Sequence, residues 1–159
     1  MPAEVSVVIL AAGLGTRMKS SLAKVLHCAG GLPLIEHVIR AARAITPPER
    51  IVVVTGHQAE QVEAAVSHHG VRFQLQPEPR GTGHALQVCR TQPGLDSGLL
   101  VVLYGDCPLL KPATLRRLVE AHQAGGAAAT VLTARLADPR GYGRILRDER
   151  GRIAAIVEE

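Results

Sequence analysis

The sequence predicts an α/β protein: a doubly wound, mostly parallel sheet with a late antiparallel hairpin. Three observations carry this expectation. β-Branched apolar runs alternate with helical stretches through most of the chain. The runs Val5–Leu10, Ile51–Thr55 and Leu99–Tyr104 lack polar alternation, as strands buried on both faces do. Each run ends in small residues or glycine, at the strand end where such sheets bind their ligands.

The first run delivers the chain into Ala11-Ala12-Gly13-Leu14-Gly15-Thr16-Arg17, with Lys24 shortly after. Small residues and glycines bring backbone N–H groups close to an anion, and Arg17 and Lys24 add full charges. Two familiar phosphate motifs fail here. The dinucleotide fingerprint needs a third glycine and the P-loop pattern a second, and Met18 stands at both places. NAD binding and Walker-type NTP hydrolysis are excluded on that ground.

The remaining elements follow in order. Residues 33–44 read as a helix, with Pro33 in its first turn and an apolar stripe of Leu34, Ile35, Val38, Ile39 and Ala42. Pro47-Pro48 breaks it before the strand Ile51–Thr55. A helix over 58–67 closes near Gly70, and 71–76 alternate as a strand. A helix over 82–90 precedes the strand Leu99–Tyr104. A helix over 112–124 is closed by Gly125-Gly126, and 127–132 read as a fifth strand. The tail, 144–158, reads as a hairpin around Asp148-Glu149-Arg150-Gly151.

Composition narrows the function classes. A chain of 159 residues suits one domain with a sizeable core. Its apolar fraction of 47% and charged fraction of 20% are those of a globular protein, not a disordered one. No apolar run reaches the roughly 18 residues of a membrane span, and the N-terminus lacks a secretory pattern, so a cytoplasmic location is expected. Cys28, Cys89 and Cys107 are odd in number and lack metal-ligand spacing, which favours small buried thiols. A net charge of +4 suits a small anionic substrate. Three aromatics, Phe73, Tyr104 and Tyr142, are too few for a nucleic-acid stacking surface.

Several residues stand where chemistry is expected. Asp106 follows a buried strand and suits a Mg²⁺ ligand, or else a turn aspartate. Gln76 opens the loop Gln76-Pro77-Glu78-Pro79-Arg80-Gly81-Thr82-Gly83-His84. Its amide offers a donor and an acceptor matching the imide edge of uracil, and exposed backbone at Gly81 can complete that edge. In the plainer reading, Thr82 caps the following helix and His84 packs or hydrogen-bonds. Gly141 and Gly143 let a sugar lie against the backbone, with Glu158 accepting hydroxyl protons. His68-His69 reads as an exposed helix end rather than a metal site. No nucleophile–base pair is evident in the sequence.

Taken in order, five segments resemble the motifs of the sugar-nucleotide pyrophosphorylases. They are Leu10-Ala11-Ala12-Gly13-Leu14-Gly15-Thr16-Arg17-Met18 with Lys24-Val25-Leu26-His27; Gly81-Thr82-Gly83-His84-Ala85; Tyr104-Gly105-Asp106-Cys107-Pro108-Leu109; Gly141-Tyr142-Gly143-Arg144-Ile145; and Ile156-Val157-Glu158-Glu159. The Lys-Val-Leu-His ending favours the bacterial N-acetylglucosamine-1-phosphate uridylyltransferases. The resemblance spans essentially the whole chain.

The resemblance implies a Rossmann-like nucleotidyltransferase domain over residues 1–159. It implies the reaction of UTP with N-acetylglucosamine 1-phosphate to give UDP-N-acetylglucosamine and pyrophosphate, with Mg²⁺. The sugar-phosphate oxygen attacks the α-phosphorus directly, with no enzyme nucleophile. Arg17 and Lys24 then stabilise the triphosphate, and Asp106 holds the metal. Leu10, Ala11, Ala12, Gly13, Gly15, Thr16, Gln76, Gly81 and Thr82 bind the nucleotide. Gly143 and Glu158 hold the sugar. Glucose 1-phosphate or thymidylyl chemistry is the nearest rival. Two further alternatives are a nucleotide-binding module without turnover and a purely structural fragment.

The chain departs from the family pattern twice. Ala23-Lys24 replaces Pro-Lys, which frees a backbone torsion and leaves Lys24 less preorganised. The chain also stops at Glu159, where the family supplies a second metal ligand, a further sugar contact and then a trimer-forming acetyltransferase β-helix domain.

Overall fold

The computed structural model describes residues 4–15 and 18–158. Two compact units divide the chain, Met1–Ala127 and Ala128–Glu159.

The first unit opens with strand β1, Val5–Leu10. A short hairpin follows, β2 (Cys28–Ala29) against β3 (Leu32–Pro33). Its turn residues Gly30 and Gly31 both take positive φ, 58° and 82°, the signature of a two-residue hairpin turn. The sequence reading missed this hairpin and started the next helix one residue early. Helix α1 spans Leu34–Ala42, with Pro33 as its N-cap. Strand β4 (Ile51–Thr55), helix α2 (Ala59–Val66) and strand β5 (Arg72–Leu75) come next. Helix α3 (Thr82–Val88), strand β6 (Leu99–Tyr104) and helix α4 (Pro112–Gly125) complete the unit.

Four strands form one parallel sheet in the order β5-β4-β1-β6. Val7 and Ile9 of β1 face a core built by Ile35, Val38 and Ile39 of α1, Val62 and Val66 of α2, and Leu115 of α4. Val8 faces the opposite core, with Val52, Val54, Ala85 and Cys89. Helices therefore cover both faces, as a doubly wound sheet requires. Burial on both faces is also why β4 is almost wholly apolar and why the one polar residue of β1, Ser6, is buried with its hydroxyl bonded to Gly94 O.

The chain leaves β1 to pair on one side with β4 and returns, after β5, to pair on the other side with β6. The strand order thus switches direction between β1 and β6. A crevice at the carboxyl ends of those two strands is the binding place this topology provides.

In the second unit, β7 (Arg144–Arg147) pairs antiparallel with β8 (Ile153–Val157). Asp148 builds the turn: its carboxylate accepts the backbone N–H groups of Arg150 and Arg152. The hairpin expected over 144–158 is present. The strand expected over 127–132 is not: that segment has no regular structure. An apolar run becomes a strand only beside an edge that takes its ladder bonds, and propensity alone does not supply one.

The cysteines also differ from expectation. Cys89 is buried, but Cys28 and Cys107 are exposed, and all three are free thiols. No helix among the described residues is long and apolar enough to cross a membrane.

Candidate functional site

At the carboxyl edge the ladder runs one residue beyond the strands. Ala11 N–H donates to Val54 O at 2.9 Å, and Gly105 N–H to Leu10 O at 2.9 Å. Past that point the chains splay and leave a cleft of about 400 Å³. Its walls include Leu10, Ala11, Ala12, Gly13 and Gly15 from the first loop, and Gln76, Gly81 and Thr82 from the second. Lys24 and Asp106 complete it, together with Leu14, Val25, Pro79, Ala85 and Tyr104, which the sequence reading did not single out. The structure thus gathers the sequence candidates of the first unit into one cavity. Thr16 and Arg17 lie outside the described residues.

Gly15 is fixed by geometry. It has φ of +62°, and a Cβ there would lie 2.9 Å from Lys24 Cβ. Only glycine fits the turn and lets the loop close on Lys24. Lys24 begins a short 3₁₀ turn, Lys24–Leu26. Its Nζ lies 2.5 Å from Asp106 Oδ2, both side chains being partly exposed. Cys107 Sγ lies 3.6 Å from Asp106 Oδ1. Loss of solvent around its sulfur pushes the Cys107 thiol up, and the Asp106 charge and hydrogen bond add to this. The thiol therefore stays protonated beside the carboxylate and is a poor nucleophile.

Ala23, which stands in place of proline, is not loose. It is buried, with φ of −52° and ψ of 134°, and its N–H donates to Gln58 Oε1 at 2.6 Å. The torsion that the sequence reading took to be freed is held by a hydrogen bond.

The second loop is equally defined. Gln76 is 5% exposed, and its backbone N–H extends the β4 edge by donating to Thr55 O at 2.8 Å. Its Nε2 lies 3.1 Å from Gly81 O and 3.0 Å from His84 Nδ1. Gly81 O only accepts, so the amide nitrogen faces it, and His84 must accept through Nδ1. His84 is thus a hydrogen-bonding residue that fixes the Gln76 amide. Thr82 does not cap α3: the N-cap is Gly81, at φ of 91°, and no side chain caps the helix.

Two candidates sit in the second unit. The hairpin brings Gly143 and Glu158 together, and a Cβ on Gly143 would lie 3.3 Å from Glu158 Oε1. The absent side chain leaves the carboxylate open along the backbone there.

Elsewhere in the first unit, His68 and His69 differ from the exposed helix end expected of them. His68 is exposed, but His69 is 7% exposed and Glu36 3%. His69 Nε2 lies 2.8 Å and His68 Nε2 3.5 Å from Glu36 Oε2, and Arg40 Nε donates to Glu36 Oε1 at 2.9 Å. Arg43 Nη1 lies 3.3 Å from His69 Nδ1, which leaves the ring proton on Nε2, close to the carboxylate but poorly aligned with it for a hydrogen bond. Burial raises the Glu36 pKa, but His69 and Arg40 outweigh it and hold the carboxyl below its ordinary range. The group ties α1 to the turn Ser67–His69. It offers two imidazoles and a carboxylate and does not line the cleft.

Comparison with known proteins agrees with this geometry. Residues 7–154 match the MobA-like NTP transferase domain family. The bifunctional protein GlmU of Solibacter usitatus is 54% identical over 160 residues, covering 100% of this chain and 34% of that protein. The chain spans about a third of the length of the curated relatives it matches. A nucleotidyl transferase from Methanothermobacter thermautotroptrophicus superposes with a TM-score of 0.61 at 32% identity, over 74% of this chain and 57% of that one. A CMP:2-keto-3-deoxy-manno-octonic acid synthetase shares the fold, with a TM-score of 0.68 at 22% identity over 98% of this chain and 64% of its own. The cleft at the strand switch point and the match over nearly all of the chain lead to one conclusion: the chain belongs to the MobA-like NTP transferase domain family.

Proposed function

We propose that this protein transfers the uridylyl group of UTP to N-acetylglucosamine 1-phosphate, forming UDP-N-acetylglucosamine and pyrophosphate. The observation that carries the reading is the Lys24–Asp106 pair, set against the glycine loop at the carboxyl edge of β1 and β6. A cation and a carboxylate side by side suit a triphosphate and its counter-ion. The bifunctional GlmU relatives favour the sugar-nucleotide branch over other NTP transferases.

The chemistry asks little of the protein beyond positioning and charge. An oxygen of the sugar phosphate attacks the α-phosphorus in line, and the bond to the pyrophosphate oxygen breaks. Lys24 and Arg17 meet the negative charge that builds on the transferring phosphoryl group. Backbone groups from Leu10 to Gly15, and Thr16 after them, line the phosphate path. Gln76 Oε1 accepts the N3–H of uracil while its Nε2 stays bound to Gly81 O and His84. That arrangement discriminates against cytosine, whose N3 only accepts. Gly81 and Thr82 flank the base, and Gly143 and Glu158 hold the sugar.

Asp106 is the residue in this reading that holds Mg²⁺. The hard carboxylate oxygen suits that ion, which sites of this kind hold through one or two carboxylates together with substrate phosphates and water. The Glu36–His68–His69 group does not suit it, because imidazole ligands favour transition metals. Mg²⁺ at Asp106 supplies charge neutralisation between carboxylate and triphosphate. Residues 1–159 then belong to one nucleotidyltransferase domain working in the cytoplasm, with a nucleotide and a sugar phosphate as partners.

Pyrophosphate release measured across UTP, dTTP and CTP, each with N-acetylglucosamine 1-phosphate or glucose 1-phosphate, tests the proposal. UTP with the N-acetylated sugar should give the highest kcat/KM. A clear preference for dTTP or glucose 1-phosphate overturns it in favour of a neighbouring pyrophosphorylase.

A further inference from the structure

Gln58 lies between β4 and α2 with φ of 55° and ψ of 40°. That left-handed region is uncommon for residues other than Gly, Asn and Asp. Its backbone carbonyl accepts the N–H of Val62 at 3.1 Å, one turn into α2. The side chain crosses to a segment 35 residues earlier in the chain. Oε1 accepts the N–H of Ala23 at 2.6 Å, and Nε2 donates to Ser21 O at 2.7 Å. A backbone N–H only donates and a carbonyl only accepts, so the amide has one orientation that satisfies both.

These two bonds fasten residues 21–23, otherwise an irregular loop, to the end of β4. The fastened stretch leads straight into Lys24. Ala23 is 2% exposed, and its carbonyl accepts the N–H of Leu26 at 2.9 Å, closing the turn that carries Lys24. On the other side, Gly15 lacks the Cβ that would lie 2.9 Å from Lys24 Cβ, so the first loop can close on Lys24. The Lys24 backbone is therefore held between the glycine loop and the Gln58 amide.

We infer that Gln58 is a positioning residue for Lys24: its amide replaces a covalent restraint at Ala23 and sets where the ammonium group stands in the cleft. The inference rests on the reading of Lys24 as the cation that meets the triphosphate. It explains why a bulky residue occupies a left-handed position, since only from there does the amide bridge Ser21 and Ala23. It also makes a specific claim about torsion. The φ of Ala23 is one that proline adopts, so a pyrrolidine ring should substitute for the amide clamp.

The test uses Gln58→Gly, which removes the amide while suiting the positive φ, so relief of the left-handed backbone offsets part of the two lost hydrogen bonds and the fold should hold. Hydrogen exchange at the Leu26 and His27 amides, which close the turn carrying Lys24 by donating to Ala23 O and Lys24 O, melting temperature and steady-state kinetics are compared in four proteins. These are wild type, Gln58→Gly, Gln58→Gly with Ala23→Pro, and Lys24→Ala. Gln58→Gly should exchange roughly tenfold faster at these amides and lose roughly ten- to a hundredfold in kcat, with KM for UTP within about twofold and a melting temperature lower by no more than about 5 °C. Adding Ala23→Pro should restore both protection and kcat. Unchanged exchange in Gln58→Gly overturns the clamp. Faster exchange with wild-type kcat, or a double variant that regains protection without regaining rate, overturns the link to Lys24. Lys24→Ala at wild-type kcat overturns the role of Lys24 itself, while the exchange data decide the clamp separately.

Discussion

Lys24 Nζ and Asp106 Oδ2 stand 2.5 Å apart at the cleft that forms where β1 and β6 end. Each charge neutralises the other before any nucleotide arrives. In the proposed reaction a triphosphate and a divalent ion entering together would take one partner each, leaving neither charge uncompensated.

Asp106→Asn removes one half of that pair. Mg²⁺ should then no longer tighten UTP binding, because the charge that holds the ion is gone. Without Mg²⁺ the variant should bind UTP a few-fold tighter than wild type, since Lys24 is released from a partly exposed ion pair worth up to about 1 kcal/mol. Calorimetry of UTP binding with and without Mg²⁺ checks both. Equal Mg²⁺ enhancement in the two proteins would reduce Asp106 to a turn residue.

Lys24→Ala should lower kcat by roughly a hundred- to a thousandfold, as does losing one preorganised donor at a developing anion. KM for UTP should change much less, because the charge is needed most in the transition state. Steady-state kinetics separates the two, and a rise in KM alone would assign Lys24 to ground-state binding.

Gln76→Ala should lower the UTP-over-CTP ratio of kcat/KM by roughly ten- to a hundredfold, the worth of one desolvated hydrogen bond. A wild-type ratio in a variant of unchanged fold would place base reading elsewhere.

The Glu36 group makes a prediction about acid stability. Its carboxyl is held below the ordinary range in the folded protein, with His69 and Arg40 as partners. Its contribution is therefore complete above the unfolded carboxylate pKa and is lost as pH falls through the lower, folded one. Glu36→Gln should cost roughly 2 kcal/mol near neutral pH, a fall of about 4–8 °C in melting temperature. The difference from wild type should shrink steadily below about pH 4. Parallel melting curves from pH 3 to 7 measure this, and a constant difference across that range would contradict it.

What the sequence made legible follows burial. β1 and β4 were readable because sheet strands covered on both faces leave long apolar runs. β6 was readable as a strand before Asp106, but it is an edge strand with Leu100, Val102 and Tyr104 exposed on one face, not the strand buried on both faces that its apolar run suggested. Gly15 was readable as a loop glycine, though not its contact with Lys24 Cβ. The failures depend on distant partners. Residues 127–132 have strand propensity but no ladder. His69 looked exposed beside Gly70 until Glu36 on α1 supplied its partner. Gln58 carries no local signal, because its role lies in reaching Ser21 and Ala23 across the end of the sheet.

The central claim is direct uridylyl transfer in the Lys24–Asp106 cleft. Incubation with UTP labelled at the α-phosphorus, N-acetylglucosamine 1-phosphate and Mg²⁺ tests it most directly. Each pyrophosphate released should be matched by one labelled UDP-N-acetylglucosamine, no label should stay on the protein, and transfer should be lost in Lys24→Ala and Asp106→Asn. Label bound covalently to the protein, or UTP bound without any transfer, would contradict it.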